Sequence, residues 1–78
     1  MKLPRAVSGE RLIGALARLG YEVVRRKGSH ARLRHPAPPQ HVITVPLHDS
    51  LKTGTFHGIV SEVAQMRSTT IEAICDLL

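Results

Sequence analysis

The stretch from Tyr21 to His35 constrains this chain most, because two strand-like runs meet there at Gly28-Ser29. Tyr21 to Lys27 is β-branched or charged, and from His30 onward polar and apolar side chains alternate as far as His35. Alternation with period two marks a strand that has one covered face, and a short glycine-containing turn between two such runs marks a hairpin. Parity then sorts the second run. If Ala31 and Leu33 point into a core, His30, Arg32 and Arg34 share the opposite face. The first run is ambiguous, because Val23 and Val24 are adjacent and either parity can be argued.

The flanking segments supply the rest of the fold. Ser8 precedes Leu12, Ile13, Leu16 and Leu19, which recur at helical spacing, and Gly20 stands where a left-handed helix cap belongs. Pro36, Pro38 and Pro39 force a loop, after which His41 to Leu47 reads as a third strand with Ile43, Val45 and Leu47 inward. Thr53 or Thr55 is placed to cap a second helix carrying Phe56, Ile59, Val60 and Val63 and ending near Met66. Thr69 and Glu72 match a capping box before Ile71, Ile74, Leu77 and Leu78, which predicts a short third helix or a frayed tail. At 78 residues, without repeats or low-complexity tracts, the chain makes one domain over 1–78, with a core at about 8–66 and an extension at 67–78. The expected class is α+β in the order α-β-β-β-α. Three strands joined by short loops form an antiparallel meander, both helices cover one face, and the other face is open.

Charge bears on what meets that open face. Eleven Lys and Arg against six Asp and Glu leave a formal charge of +5, the footprint of a polyanion partner such as RNA, DNA, an acidic protein or a membrane surface. Arg25, Arg26, Lys27, Arg32 and Arg34 lie within ten positions of one another on strand-like segments. A membrane surface would want a basic helix with a broad apolar face, so nucleic acid ranks above membrane. No window approaches the roughly 18 apolar residues of a spanning helix, and a cytoplasmic location is expected. Cys75 is the only cysteine, which leaves no intramolecular disulfide and no thiolate zinc site; it reads as a small hydrophobe on the C-terminal helix.

His30, Arg32 and Arg34 in one row beside Arg25 and Arg26 form a constellation suited to a phosphodiester. Guanidinium forks match phosphate oxygens, and an imidazole exchanges protons near neutral pH. In RNA the 2′-hydroxyl is the nucleophile, so a protein need only assist proton transfer and stabilise charge, without a cofactor. Read more plainly, His30 is an exposed histidine beside a turn that contacts a phosphate. Among His35, His41, His48 and His57, His48 is the best second acid or base, since it follows the third strand near the second helix; its plainer reading is a loop residue packed on Pro46. No histidine pair stands at i and i+4 on a helix with an acidic companion, so no metal site is expected. Lys52 and the amides around Gly54 and Thr55 form a candidate anion site at a helix start.

The runs Gly20-Tyr21, Arg26-Lys27-Gly28-Ser29-His30, His35-Pro36, Ile43-Thr44-Val45-Pro46 and Leu51-Lys52-Thr53-Gly54-Thr55 together resemble the HicA toxin family over about residues 8 to 66. The resemblance implies a double-stranded-RNA-binding-domain-like fold and the toxin of a type II toxin-antitoxin system. It also implies an endoribonuclease acting on mRNA, and a HicB-type antitoxin that blocks the active site in a hetero-oligomer. The family's catalytic histidine falls on His30, with RNA contacts expected from Arg25, Arg26, Lys27, Ser29, Arg32, Arg34, Lys52 and Thr55. Many members carry a second histidine directly after the first, where this chain has Ala31, a position that parity turns toward the core. A non-catalytic RNA-binding module, or a domain that only docks an acidic partner, would use the same basic face.

Overall fold

A computed structural model describes residues 6–78; the expected start of the domain at residue 1 lies outside them. The order is α1 (Gly9–Arg18), β1 (Glu22–Lys27), β2 (His30–His35), β3 (His41–Pro46), α2 (Thr53–Met66) and α3 (Ile71–Cys75). The strands form one antiparallel sheet in the order β1-β2-β3. This is the expected α-β-β-β-α arrangement with a short helix added.

Alternation on β2 and β3 decides which face is covered. Ala31, Leu33 and Val45 are fully buried and Ile43 nearly so, in one core with Leu12, Leu16, Phe56, Val60 and Val63 of α1 and α2. His30, Arg32, Arg34, Val42 and Thr44 point the other way and are exposed. The ambiguity of β1 resolves as a bulge. Val23 lies opposite Leu33 and Arg25 opposite Arg32, so Val24 is the extra residue and both parities occur on one strand.

Helix boundaries follow caps where a cap residue is free to act, and tertiary anchors where it is not. Ser8 caps α1 by accepting from the amide of Arg11 at 3.0 Å. Gly9 lets α1 sit on the end of β3, since a Cβ there would collide with the Pro46 carbonyl oxygen. Gly20 closes the helix at a φ of +101°. Neither Thr53 nor Thr55 caps α2. The N-cap is Lys52, which makes no side-chain cap bond, because buried Leu51 sets where the helix begins through its amide bond to the Val7 carbonyl at 2.8 Å. Nor does Thr69 cap α3. Its amide bonds back to the Ala64 carbonyl past a left-handed Ser68, completing the end of α2, so the cap moves one residue on to Thr70, which accepts from Ala73 at 3.0 Å.

The segment after Met66 belongs to the core: Ile74 is fully buried, and α3 packs on both α1 and α2. Cys75 is partly buried against the same cluster, and burial, followed by nearby Asp76, pushes its thiol up.

At the end of the sheet away from the β1–β2 turn, the loops are tied down by buried polar side chains. The ring nitrogen Nε2 of His35 donates to the Leu19 carbonyl at 2.8 Å, which leaves Nδ1 to accept from Arg67 at 2.7 Å. His41 donates from Nε2 to Glu62 at 2.5 Å and accepts the Tyr21 hydroxyl at Nδ1 at 2.6 Å. Arg67 also donates to the Pro39 carbonyl and lies 5.9 Å from the centre of the Tyr21 ring. Both histidines that the sequence offered as acids, bases or ligands at this end are therefore satisfied structural groups.

Two outcomes are expected. Replacing Ile74 with Ala should cost about 2–5 kcal/mol in urea unfolding, as for other buried aliphatic truncations; a loss near zero would make α3 dispensable. Burial raises the Tyr21 phenol above its ordinary value, with Arg67 opposing and Glu62 reinforcing. A raised folded pKa means that this stabilisation is present below the unfolded value and lost as pH climbs through the folded one. Ultraviolet titration of this only tyrosine should show phenolate above the ordinary range, together with unfolding; ionisation at the ordinary value would contradict the buried placement.

Candidate nucleic-acid interface

Cross-strand register assembles the uncovered face in three rungs. Lys27 lies opposite His30 and His30 opposite Pro46; Arg25 lies opposite Arg32 and Arg32 opposite Thr44; Glu22 lies opposite Arg34 and Arg34 opposite Val42. The third rung is charge-balanced. The first two are not, and like charges placed directly opposite one another destabilise a strand pair. The Arg25–Arg32 juxtaposition is an electrostatic cost that a bound anion would relieve.

These two rungs enclose an open depression of about 220 Å³ lined by Arg25, Lys27, His30, Arg32 and Thr44. Gly28, at a φ of +57°, reverses the chain beside it, and the Ser29 carbonyl accepts from the Leu47 amide at 2.6 Å, which ties the turn to the end of β3. His30, Arg25, Lys27 and Arg32 are all exposed, so the ring and the cations are open to a ligand from the same side. Ala31 is fully buried, as parity predicted, and contributes no side chain to this face.

The other expected site residues divide. Arg26 does not join the row. Its cross-strand partner is inward-facing Ala31, and its guanidinium forks onto Glu10 of α1 at 2.8 and 3.1 Å. That bond holds the Glu10 carboxyl below its ordinary value and raises Arg26 in turn. Arg34 is on the uncovered face but shares its rung with Glu22. Ser29 lies exposed at the turn itself. His48 is exposed in the loop before α2, where its carbonyl accepts from Gly9 at 2.9 Å, and it does not line the depression. Lys52 is exposed at the start of α2, and His57 lies exposed along that helix. Thr55 lines a second groove, between β3 and α2, that shares Thr44 with the basic depression.

Thr44 was not singled out from the sequence, although inward Ile43 and Val45 already imply that it points outward. Its partnership with Arg32 depends on register across the proline loop, and no turn chemistry there fixes the register. Among the described residues, no group of three or more His, Cys, Asp or Glu side chains is placed to hold a metal ion. No helix among them is long and apolar enough to cross a membrane.

Comparison with known proteins gives one family. No curated protein and no solved structure matches the chain. The family model described as the HicA toxin of bacterial toxin-antitoxin matches residues 9–66, from the first residue of α1 to the last of α2. The match takes in all three strands and the basic depression, and the chain belongs to the HicA toxin family.

Proposed function

We propose that this toxin is an endoribonuclease that cleaves mRNA at the basic depression, with His30 as its catalytic residue and no metal in the step. The observation that carries the reading is an exposed imidazole sharing one depression with Arg25, Lys27 and Arg32 on a face that no helix of the described residues covers. The bound phosphodiester accepts hydrogen bonds from the two guanidinium groups and the ammonium group, which also stabilise the charge that builds on the phosphoryl oxygens. The 2′-oxygen attacks the adjacent phosphorus, the bond to the 5′-oxygen breaks, and neutral His30 takes the 2′-hydroxyl proton while the leaving oxygen is protonated from solvent. DNA lacks the nucleophile and is bound without being cut. Arg34, Ser29 and Lys52 extend the contact surface along the strand and toward α2, and Thr55 marks its border where the second groove begins. His48 stands outside the depression and enters the step only if the loop before α2 moves. An antitoxin of the HicB type restrains the activity in the cytoplasm by covering this face.

His30→Ala should lower the cleavage rate about 10²–10⁴-fold, the usual share of a general acid or base. Because the residue is exposed, the thermal midpoint should not move. Cleavage at the original rate would remove His30 from the reaction. RNA binding with no cleavage by the unmodified protein, with or without added divalent metal, would support a binding module instead.

The arginines separate by salt dependence. Each phosphate contact on a single strand contributes roughly 0.7 to the slope of log affinity against log salt. Arg32→Ala should flatten the slope by about that amount, whereas Arg26→Ala, already paired with Glu10, should leave it unchanged. Equal effects would contradict the division of the two faces.

A further inference from the structure

Among the described residues, β3 is a free edge of the sheet. The Leu47 amide bonds the Ser29 carbonyl, so antiparallel alternation puts the hydrogen-bonded pairs at Ala31–Val45 and Leu33–Ile43. Val42 and Thr44 therefore turn their N–H and C=O groups away from β2. Such an edge is a template for another strand unless it is defended. The opposite edge is defended: β1 carries Glu22, Arg25, Arg26 and Lys27, and it is bulged. β3 has no Lys, Arg, Asp or Glu and no irregularity of register.

A groove of about 450 Å³ runs along this undefended edge, with Val42 and Thr44 on one side and Gly54, Gly58 and Glu62 of α2 on the other. A Cβ added at Gly54 or Gly58 would meet nothing within 4 Å, so the space is open and not taken up by the fold's own packing.

We propose that this groove receives an extended acidic segment of a partner polypeptide, which adds to β3 as a fourth strand. Unpaired backbone donors and acceptors in a row are met by another backbone, which favours a polypeptide. Nucleic acid is disfavoured, because the groove is lined by no Lys or Arg to hold a phosphate backbone, and the Glu62 carboxylate in its wall is already engaged by His41. The acidic character follows from Thr44, which lines both this groove and the basic depression. Alternate side chains of the added strand project on the uncovered face beside Thr44, about 10 Å from the backbone of Arg32 at ordinary strand spacing. A carboxylate on such a side chain and the Arg32 guanidinium meet across that gap. One segment would thus pair with the edge and neutralise the depression together. The proposal concerns binding alone and stands whether or not the depression cleaves RNA.

The test uses the full chain and a display library of short random peptides, with bound peptides mapped by amide hydrogen exchange. Selection should enrich extended peptides with acidic residues at alternate positions, and these should slow exchange at Val42 and Thr44. Methylating the peptide amides that face β3 should weaken binding about tenfold or more, the cost of losing buried backbone hydrogen bonds. Gly58→Leu projects into the groove from a position whose Cβ meets nothing within 4 Å, and it improves the helix, so it should keep or raise the thermal midpoint and lose the peptide. Failure to enrich any peptide, binding that ignores amide methylation, or binding that persists in Gly58→Leu would overturn the proposal. Protection by an RNA oligonucleotide of Val42, which lines the groove and not the basic depression, would assign the groove to nucleic acid and equally overturn it.

Discussion

The division of β2 into two faces governs the rest of the molecule. Ala31 and Leu33 lose all contact with water, and the two helices close over them. Burial of apolar surface is the main force available to so small a domain, and a register slip of one residue would put His30, Arg32 and Arg34 into that core. The cost of burying unpaired charge forbids the slip. The requirement that fixes the core thus also holds a histidine and two arginines on the uncovered face. The chemistry of the site is a by-product of packing, and its rigidity comes from side chains on the far side of the sheet.

The two ends of the sheet are finished differently. Away from the turn, His35, His41, Tyr21, Glu62 and Arg67 bond one another and nearby carbonyls, leaving the buried Arg67 Nε without a partner among the described residues, and they close the proline loop against α1 and α2. At the turn end, Arg25, Lys27, His30 and Arg32 are exposed with like charges facing one another. The contrast separates His30 from His35 and His41, groups of one chemical type whose roles composition cannot distinguish. A buried imidazole with both nitrogens bonded is a strut, whereas an exposed one among cations is available to a ligand. Arg26 belongs with the struts despite its position between Arg25 and Lys27, because the bulge at Val24 and the reach of Glu10 draw it to the helix side.

Local periodicity made most of the fold legible. The strands, α1, the left-handed Gly20 and the end of α2 follow from residues whose preferences act within a turn or a pleat. What escaped depended on partners distant in sequence. The start of α2 is set by Leu51 bonding to Val7 and not by a threonine, and the cap of α3 shifted because Thr69 was already committed to α2. The site was legible to the same extent. His30, Arg32 and Arg34 follow from parity on one strand, while Thr44 needed the β2–β3 register, and the loss of Arg26 needed both the bulge and α1. His48 looked close to the site along the chain, but its loop turns toward Gly9 and away from the depression.

The account rests on one claim: the His30 ring meets the RNA backbone directly, and the buried histidines do not. Proton–carbon spectra of the five imidazoles, recorded while an RNA strand with 2′-deoxy substitutions that block cleavage is added, test it most directly. The account predicts that the His30 ring resonances move progressively with added RNA while those of His35 and His41 stay in place. An unmoved His30 ring in a protein that has demonstrably bound the strand would contradict it.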